Sequence, residues 1–179
     1  MDSARGQLLI AGPTLLDPNF WRTVVLVVEH TDEGALGLVL NRPSETAVAE
    51  AVPELGEVIG ADELLYIGGP VQPSAVIVLA RFEEPSDSVL LSFDDVGVLG
   101  STDSLEAAGV IEARAFVGHA GWGAGQLDAE IERGDWILEP ARREDAFSAA
   151  ARELWTSVLT RKGGSYALVA RMPPDPSWN

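Results

Sequence analysis

The chain has 179 residues, 46% of them hydrophobic, and a formal net charge of −16. That size and apolar content suit one domain with its own core. The acidity argues against direct binding to nucleic acid or an anionic membrane, since the basic residues are scattered and only Arg142-Arg143 and Arg161-Lys162 are adjacent.

The absence of cysteine excludes disulfides, thiolate metal ligands and thiol catalysis. No apolar run approaches the length of a bilayer span, and residues 1–5 do not open a signal peptide, so the expected compartment is the cytoplasm.

Gln7-Leu8-Leu9-Ile10-Ala11 is a short apolar run stopped by Gly12-Pro13, the pattern of a buried strand and a turn. Asp17-Pro18-Asn19 marks a second turn. Residues 23–29 are β-branched and continuously apolar as far as Glu29, as in a strand covered on both faces. Asp32-Glu33-Gly34-Ala35 turns the chain and Leu36-Gly37-Leu38-Val39-Leu40 returns, which predicts a hairpin. Pro43 ends that second strand. Residues 46–52 predict a short helix stopped by Pro53. Residues 64–67 predict a strand that meets Gly68-Gly69-Pro70-Val71, and residues 75–80 another buried strand. Residues 83–88 form a polar loop, 89–91 a weak strand, and the chain is irregular from there to Gly100. Asp103-Ser104-Leu105-Glu106 carries a capping signature for a short helix that stops near Gly109.

Residues 113–117 predict the strand that leads into the most unusual stretch of the chain. From Gly118 to Gly125, four glycines fall within eight residues, with His119 and Trp122 among them. The spacing reads as a strand end, a tight turn over 118–126 and a helix from about Gly125 to Arg133, stopped by Gly134. Leu127 and Ile131 share one helix face, flanked by Gln126 and Glu130. Trp136-Ile137-Leu138 is a strand. Phe147, Ala151, Leu154, Trp155 and Val158 form a one-sided apolar stripe, which predicts the longest helix over 143–161, stopped by Gly163-Gly164. Residues 166–170 predict a last strand, before a loose tail. Many apolar strands with few helices, partly joined by hairpins, predict an α+β or mixed α/β fold in a single domain over 1–179.

These segments resemble the AlgH/YqgE family of bacterial proteins. The match rests on residues 6–13 with Asp17-Pro18-Asn19-Phe20, residues 24–30 with 34–43, Gly68-Gly69-Pro70-Val71, and residues 118–131 with Trp136. In order and spacing these blocks cover nearly the whole chain. The resemblance implies a mixed sheet partly rolled into a small barrel with surrounding helices; the family's name comes from a proposed regulatory role in polysaccharide synthesis. His119 stands where the family pattern more often has tyrosine, and Ala124 where proline is common.

Backbone N–H groups at a helix N-terminus can cradle an anion. The stretch 118–126 has neither a Walker lysine nor the dinucleotide glycine spacing, so it serves either as a packing corner or as a ligand cradle. As a cradle, Gly121, Trp122, Gly123 and Gln126 hold the ligand, with Asn41, Arg42 and Gly69 gathered beside them from other strand ends. Trp122 then stacks on the ligand and Arg42 supplies positive charge. As a corner, Trp122 plugs the core, Arg42 forms a salt bridge and Glu130 accepts backbone N–H bonds. His119 is the candidate general base, and Glu130 a candidate acid or base. No nucleophile elbow is present. A metal group of Glu29, His30 and His119 lacks any supporting spacing, so no metal and no cofactor is expected. The expected function is that of a non-enzymatic binding or regulatory protein, holding a small ligand or partner segment at residues 118–126. The alternative is a hydrolase or transferase using His119 or Glu130 with backbone N–H groups as an anion hole, which requires those two residues to converge.

Overall fold

Runs of apolar residues that are buried on both sides set the centre of the molecule. In the computed structural model, which describes residues 2–100 and 109–174, Val24, Val25, Leu26, Val27 and Val28 are all fully buried. Alternation sends Val24, Leu26 and Val28 into one core and Val25 and Val27 into another. The unbroken apolar run is therefore the signature of a strand with cover on each face.

Among the described residues ten strands form one sheet: β1 (Gln7–Ala11), β2 (Val24–Thr31), β3 (Gly34–Val39), β4 (Pro43–Ala47), β5 (Leu64–Ile67), β6 (Val71–Phe82), β7 (Leu90–Phe93), β8 (Val96–Val98), β9 (Val110–Gly123) and β10 (Trp136–Pro140). The main path is β10-β1-β2-β3-β9-β6-β8-β7, with β4 and β5 attached beside β9. Every pairing is antiparallel except that of β5 with β9. The fold is thus α+β, as the element pattern predicts. The expected barrel is not closed. Strand β7 curls back towards β2, where Ser92 Oγ donates to the Val27 carbonyl at 2.9 Å, but both edges of β2 are already paired to β1 and β3. No ladder is open to complete the ring. The outer edge of β10 is covered differently, by Lys162 Nζ donating to the Leu138 carbonyl at 2.9 Å.

The inner core collects Leu8, Ile10, Leu26, Leu38 and Phe116 under helix α5 (Leu154–Lys162), whose Leu154, Trp155, Val158 and Leu159 are buried. A second core on the outer face of β1, β2 and β3 includes Leu9, Val25, Val27, Ala120, Trp122 and Trp136, with Leu127 of helix α3 (Gln126–Glu132). A third packs Val48, Leu55, Val78, Ala80 and Ala115 at the short helices α1 (Val48–Ala51) and α2 (Pro53–Ile59).

Several expected elements differ. Residues 43–47 are extended and pair with β5, so the helix expected over 46–52 shrinks to one turn. Pro53 starts a second helix instead of stopping the first, since its missing N–H falls where a helix has no partner for it. The irregular stretch before Gly100 contains the β7–β8 hairpin, turned by Asp94 at φ 45°. The helix expected over 143–161 is broken into Arg143–Ala146, a 3-10 turn at Ala151–Glu153 and α5. Arg114 of β9 is the reason: its Nη1 donates to the carbonyls of Ala146 (3.4 Å) and Ser148 (3.1 Å), which a continuous helix would use itself. The expected last strand is a helix, Ser165–Val169, with Tyr166, Val169 and Ala170 against the inner core and Leu168 exposed. A short apolar run does not distinguish the two. The helix expected after Asp103 lies outside the described residues.

Candidate functional site

The glycine-rich stretch is mostly strand. β9 continues through Gly123, in register with β3 as Gly37↔Ala120, Leu36↔Gly121, Ala35↔Trp122 and Gly34↔Gly123. The turn is confined to Ala124 and Gly125, the latter at φ 72° before α3. The glycines instead serve a crossing. Gly69, at φ 154°, lies against the backbone of His119 and Ala120, and a side chain there would overlap both.

Past the crossing, Ala120 and Trp122 face the second core, and His119 and Gly121 face the other way. The Trp122 indole N–H donates to Glu130 Oε2 at 2.8 Å, and the Trp136 indole N–H donates to the same oxygen at 2.9 Å. Gln126 Nε2 donates to Glu130 Oε1 at 3.0 Å, while Gln126 Oε1 accepts the Gly123 N–H at 3.0 Å. Glu130 does anchor this corner, through indole donors in place of the expected backbone N–H groups. Phe20 completes the cluster, stacked on Trp122 at 6.3 Å and edge-on to Trp136 at 5.6 Å.

His119 stands on the opposite face of the sheet from this network. Burial depresses its pKa below the usual imidazole value, and its buried Nδ1 has no hydrogen-bond partner among the described residues. His30 faces the Trp122 side, where its Nδ1 accepts the Ala4 N–H at 2.9 Å and its Nε2 lies 3.5 Å from Asp128. Glu29, His30 and His119 therefore form no group. Among the described residues no cluster of three His, Cys, Asp or Glu could hold a metal ion.

Asn41 and Arg42 belong to a second station. Asn41 Oδ1 accepts the Val24 N–H at 3.0 Å and its Nδ2 donates to the Arg22 carbonyl at 2.9 Å, which fixes Arg22 at the left-handed φ of 53°. Arg42 donates to the carbonyls of Asn19 (2.7 Å), Pro18 (3.0 Å) and Trp21 (3.1 Å), in place of the expected salt bridge. Trp21, Arg22, Asn41 and Arg42 then line an open depression of about 290 Å³ together with Arg152, Trp155 and Thr156. The Arg22 guanidinium lies 4.4 Å from the Trp155 ring centre and 5.3 Å from that of Trp21. Desolvation lowers the pKa of Arg22 and of Arg42, the second offset in part by Asp17. Among the described residues no ion pair involves Arg22, Arg42 or Arg152. A larger cleft of about 580 Å³ has an acidic rim of Asp62, Glu63 and Glu112. Three carboxylates thus face it against one guanidinium, that of Arg114, whereas no carboxylate lines the depression at Arg22 and Arg42.

The expected site residues thus fall into two groups, Trp122, Gly123, Gln126 and Glu130 in one and Asn41 and Arg42 in the other, with Gly69, Gly121 and His119 in neither. The loop 17–23 joins the groups, because Arg42 grips its carbonyls while Phe20 packs against both Trp122 and Trp136. Trp21, Arg22, Arg152 and Trp155 are the residues missed by sequence reasoning. The spacing of Arg152, Trp155 and Thr156 at i, i+3 and i+4 is the one signal that could have placed them together. An Asn41→Ala substitution removes both bonds that pin Arg22. It is expected to lower stability by about 2 kcal/mol, read from urea unfolding, because the Val24 N–H and Arg22 carbonyl lose their partner.

Among the described residues no helix is long and apolar enough to cross a membrane. The AlgH-like family model, DUF179, matches residues 8–167. A UPF0301 protein of Thermobifida fusca is 43% identical, over 99% of this chain and 96% of its own. One from Chlorobaculum tepidum is 41% identical, over 97% and 95%. Among solved structures, the crystal structure of a Corynebacterium diphtheriae protein superposes with a TM-score of 0.86 at 28% identity, covering 96% of this chain and 94% of that one. The solution structure of the AlgH protein from Pseudomonas aeruginosa superposes with a TM-score of 0.73 at 32% identity, covering 96% and 95%. With residues 8–167 matched by the family model and relatives above 40% identity along nearly the whole chain, the chain belongs to the AlgH-like, UPF0301 family of bacterial proteins.

Proposed function

We propose that the chain is a non-enzymatic binding protein that holds a small anionic ligand in the depression between Arg22, Arg42 and Arg152. One observation carries the reading: in a chain of net charge −16, three arginines line one concavity whose lining holds no carboxylate, and among the described residues none of the three is in an ion pair. Two of them are partly desolvated, so an anion there restores the compensation that burial has removed. Asn41 and Arg42, expected to hold the ligand beside residues 118–126, hold it in this reading at the depression, with Arg42 supplying positive charge. The Trp122, Gln126 and Glu130 corner supports it from behind, through Phe20. An acid–base reading would need His119 and Glu130 together, and they lie on opposite faces of the sheet.

Pyrophosphate, titrated at low salt against the tryptophan emission of the intact protein, tests the reading. Saturable binding that weakens with added salt is the expected outcome. Arg152→Glu, a change at an exposed position, is expected to weaken binding about tenfold or more while leaving the unfolding midpoint nearly unchanged. If the folded protein shows no saturable binding of pyrophosphate up to millimolar concentration, the reading is wrong.

A further inference from the structure

Resting on the anion site just proposed, we infer that its ligand joins the anionic group to a flat ring, and that Trp21 takes the ring. The depression does not end at Arg22. It adjoins an apolar slot lined by Pro13, Leu16, Trp21, Trp155, Met172 and Pro173, and the two concavities share Trp21, Arg22 and Trp155. One end is therefore cationic and the other aromatic and aliphatic.

The two shared indoles are not equivalent. Trp155 is 4% exposed, its ring is covered by the Arg22 guanidinium, and its N–H donates to the Ala11 carbonyl at 3.0 Å. Trp21 is 38% exposed and stands at the rim, with Leu16 beside it at 64%. The Arg22 guanidinium, held by the Met172 carbonyl, lies over the Trp21 ring as well, so the part of the indole left exposed is the stacking surface, beside the cation that would take a charged head. The backbone under it is rigid. Arg42 holds the Trp21 carbonyl, and the Trp21 N–H donates to the Asp17 carbonyl at 2.7 Å. Little ordering is thus left for a ligand to impose. The depression, about 290 Å³, and the slot, about 60 Å³, are small for ligand pockets, which favours a single ring over a dinucleotide.

Inorganic phosphate, phenyl phosphate and cyclohexyl phosphate, titrated in parallel by calorimetry, separate the parts. Phenyl phosphate is expected to bind about five- to tenfold tighter than inorganic phosphate, and tighter than the cyclohexyl ester. Trp21→Ala is expected to abolish that gain, so that phenyl phosphate binds the variant no tighter than inorganic phosphate does. Equal binding of phosphate and phenyl phosphate overturns the ring inference and leaves the anion reading standing. An equal gain from the cyclohexyl ester also overturns it, since the slot then selects bulk and not aromaticity. If none of the three binds, the anion reading itself has failed. Should Trp21→Ala not fold, the comparison of the three ligands on the unaltered protein still decides the matter.

Discussion

Replacing Gly69 by alanine is expected to lower the unfolding free energy by more than about 4 kcal/mol, the range that marks a named steric fault and not an ordinary substitution. The β-carbon would fall on the carbonyl group of His119 and the amide nitrogen of Ala120. Neither can retreat, because the strand around them is laddered to β3 on one side and to β6 on the other. At φ 154° the backbone of residue 69 is itself in a region that side chains avoid. Two more glycines meet there: a side chain at Gly68 would overlap the Gly118 carbonyl, and one at Gly118 the Gly69 carbonyl. Gly134→Ala is the comparison. That residue also has positive φ, at 80°, but nothing within 4 Å of a β-carbon, so it is expected to cost about 1 kcal/mol. Urea midpoints for the two variants separate steric overlap from backbone conformation.

Glu130→Ala is expected to cost about 2 to 5 kcal/mol. The Trp122 and Trp136 indole N–H groups would both lose their acceptor in a packed aromatic cluster, and each such loss costs about 1 to 3 kcal/mol. Gln126 loses its partner as well, which loosens its hold on Gly123. Glu130→Gln keeps one acceptor oxygen and is expected to recover roughly half of the loss. Urea unfolding gives the energies, and near-ultraviolet circular dichroism shows whether the Phe20–Trp122–Trp136 arrangement survives. A Glu130→Ala protein of unchanged stability would show that the shared carboxylate is not what fixes the corner.

The sequence was most readable where a local pattern is also the structural cause. The residues from Val24 to Val28 look like a doubly covered strand because alternate side chains enter two different cores. The hairpin through Gly34, the helix ended by Gly134 and the strand at Trp136 follow in the same way. The misreadings come from partners distant in the chain. Nothing near residue 147 announces that Arg114 will take the carbonyls of Ala146 and Ser148 and break the helix. Nothing near Gly118 shows that Gly69 will cross it, so glycines serving a crossing looked like a turn. The candidate site was half legible for the same reason. Asn41 and Arg42 stand next to a strand-ending proline and invite attention. Arg22 and Arg152 look like solvated surface charges until loop 17–23 and the helical segment beyond Ala150 bring them together.

The ends of the sheet also have a bearing on how the chain acquires its shape. β1 is flanked by β2 on one side and by β10 on the other, so Leu9 lies between Val25, close behind it in the chain, and Leu138, near the far end. The first pairing closes a short loop and the second a very long one, and both must form before β1 is buried on each edge. A nascent chain leaving the ribosome therefore carries β1 with one edge bare until β10 has been made. Late, non-local closure of this kind slows folding relative to a sheet built from hairpins alone, and during that interval the bare edge of β1 is the segment most in need of protection from other chains.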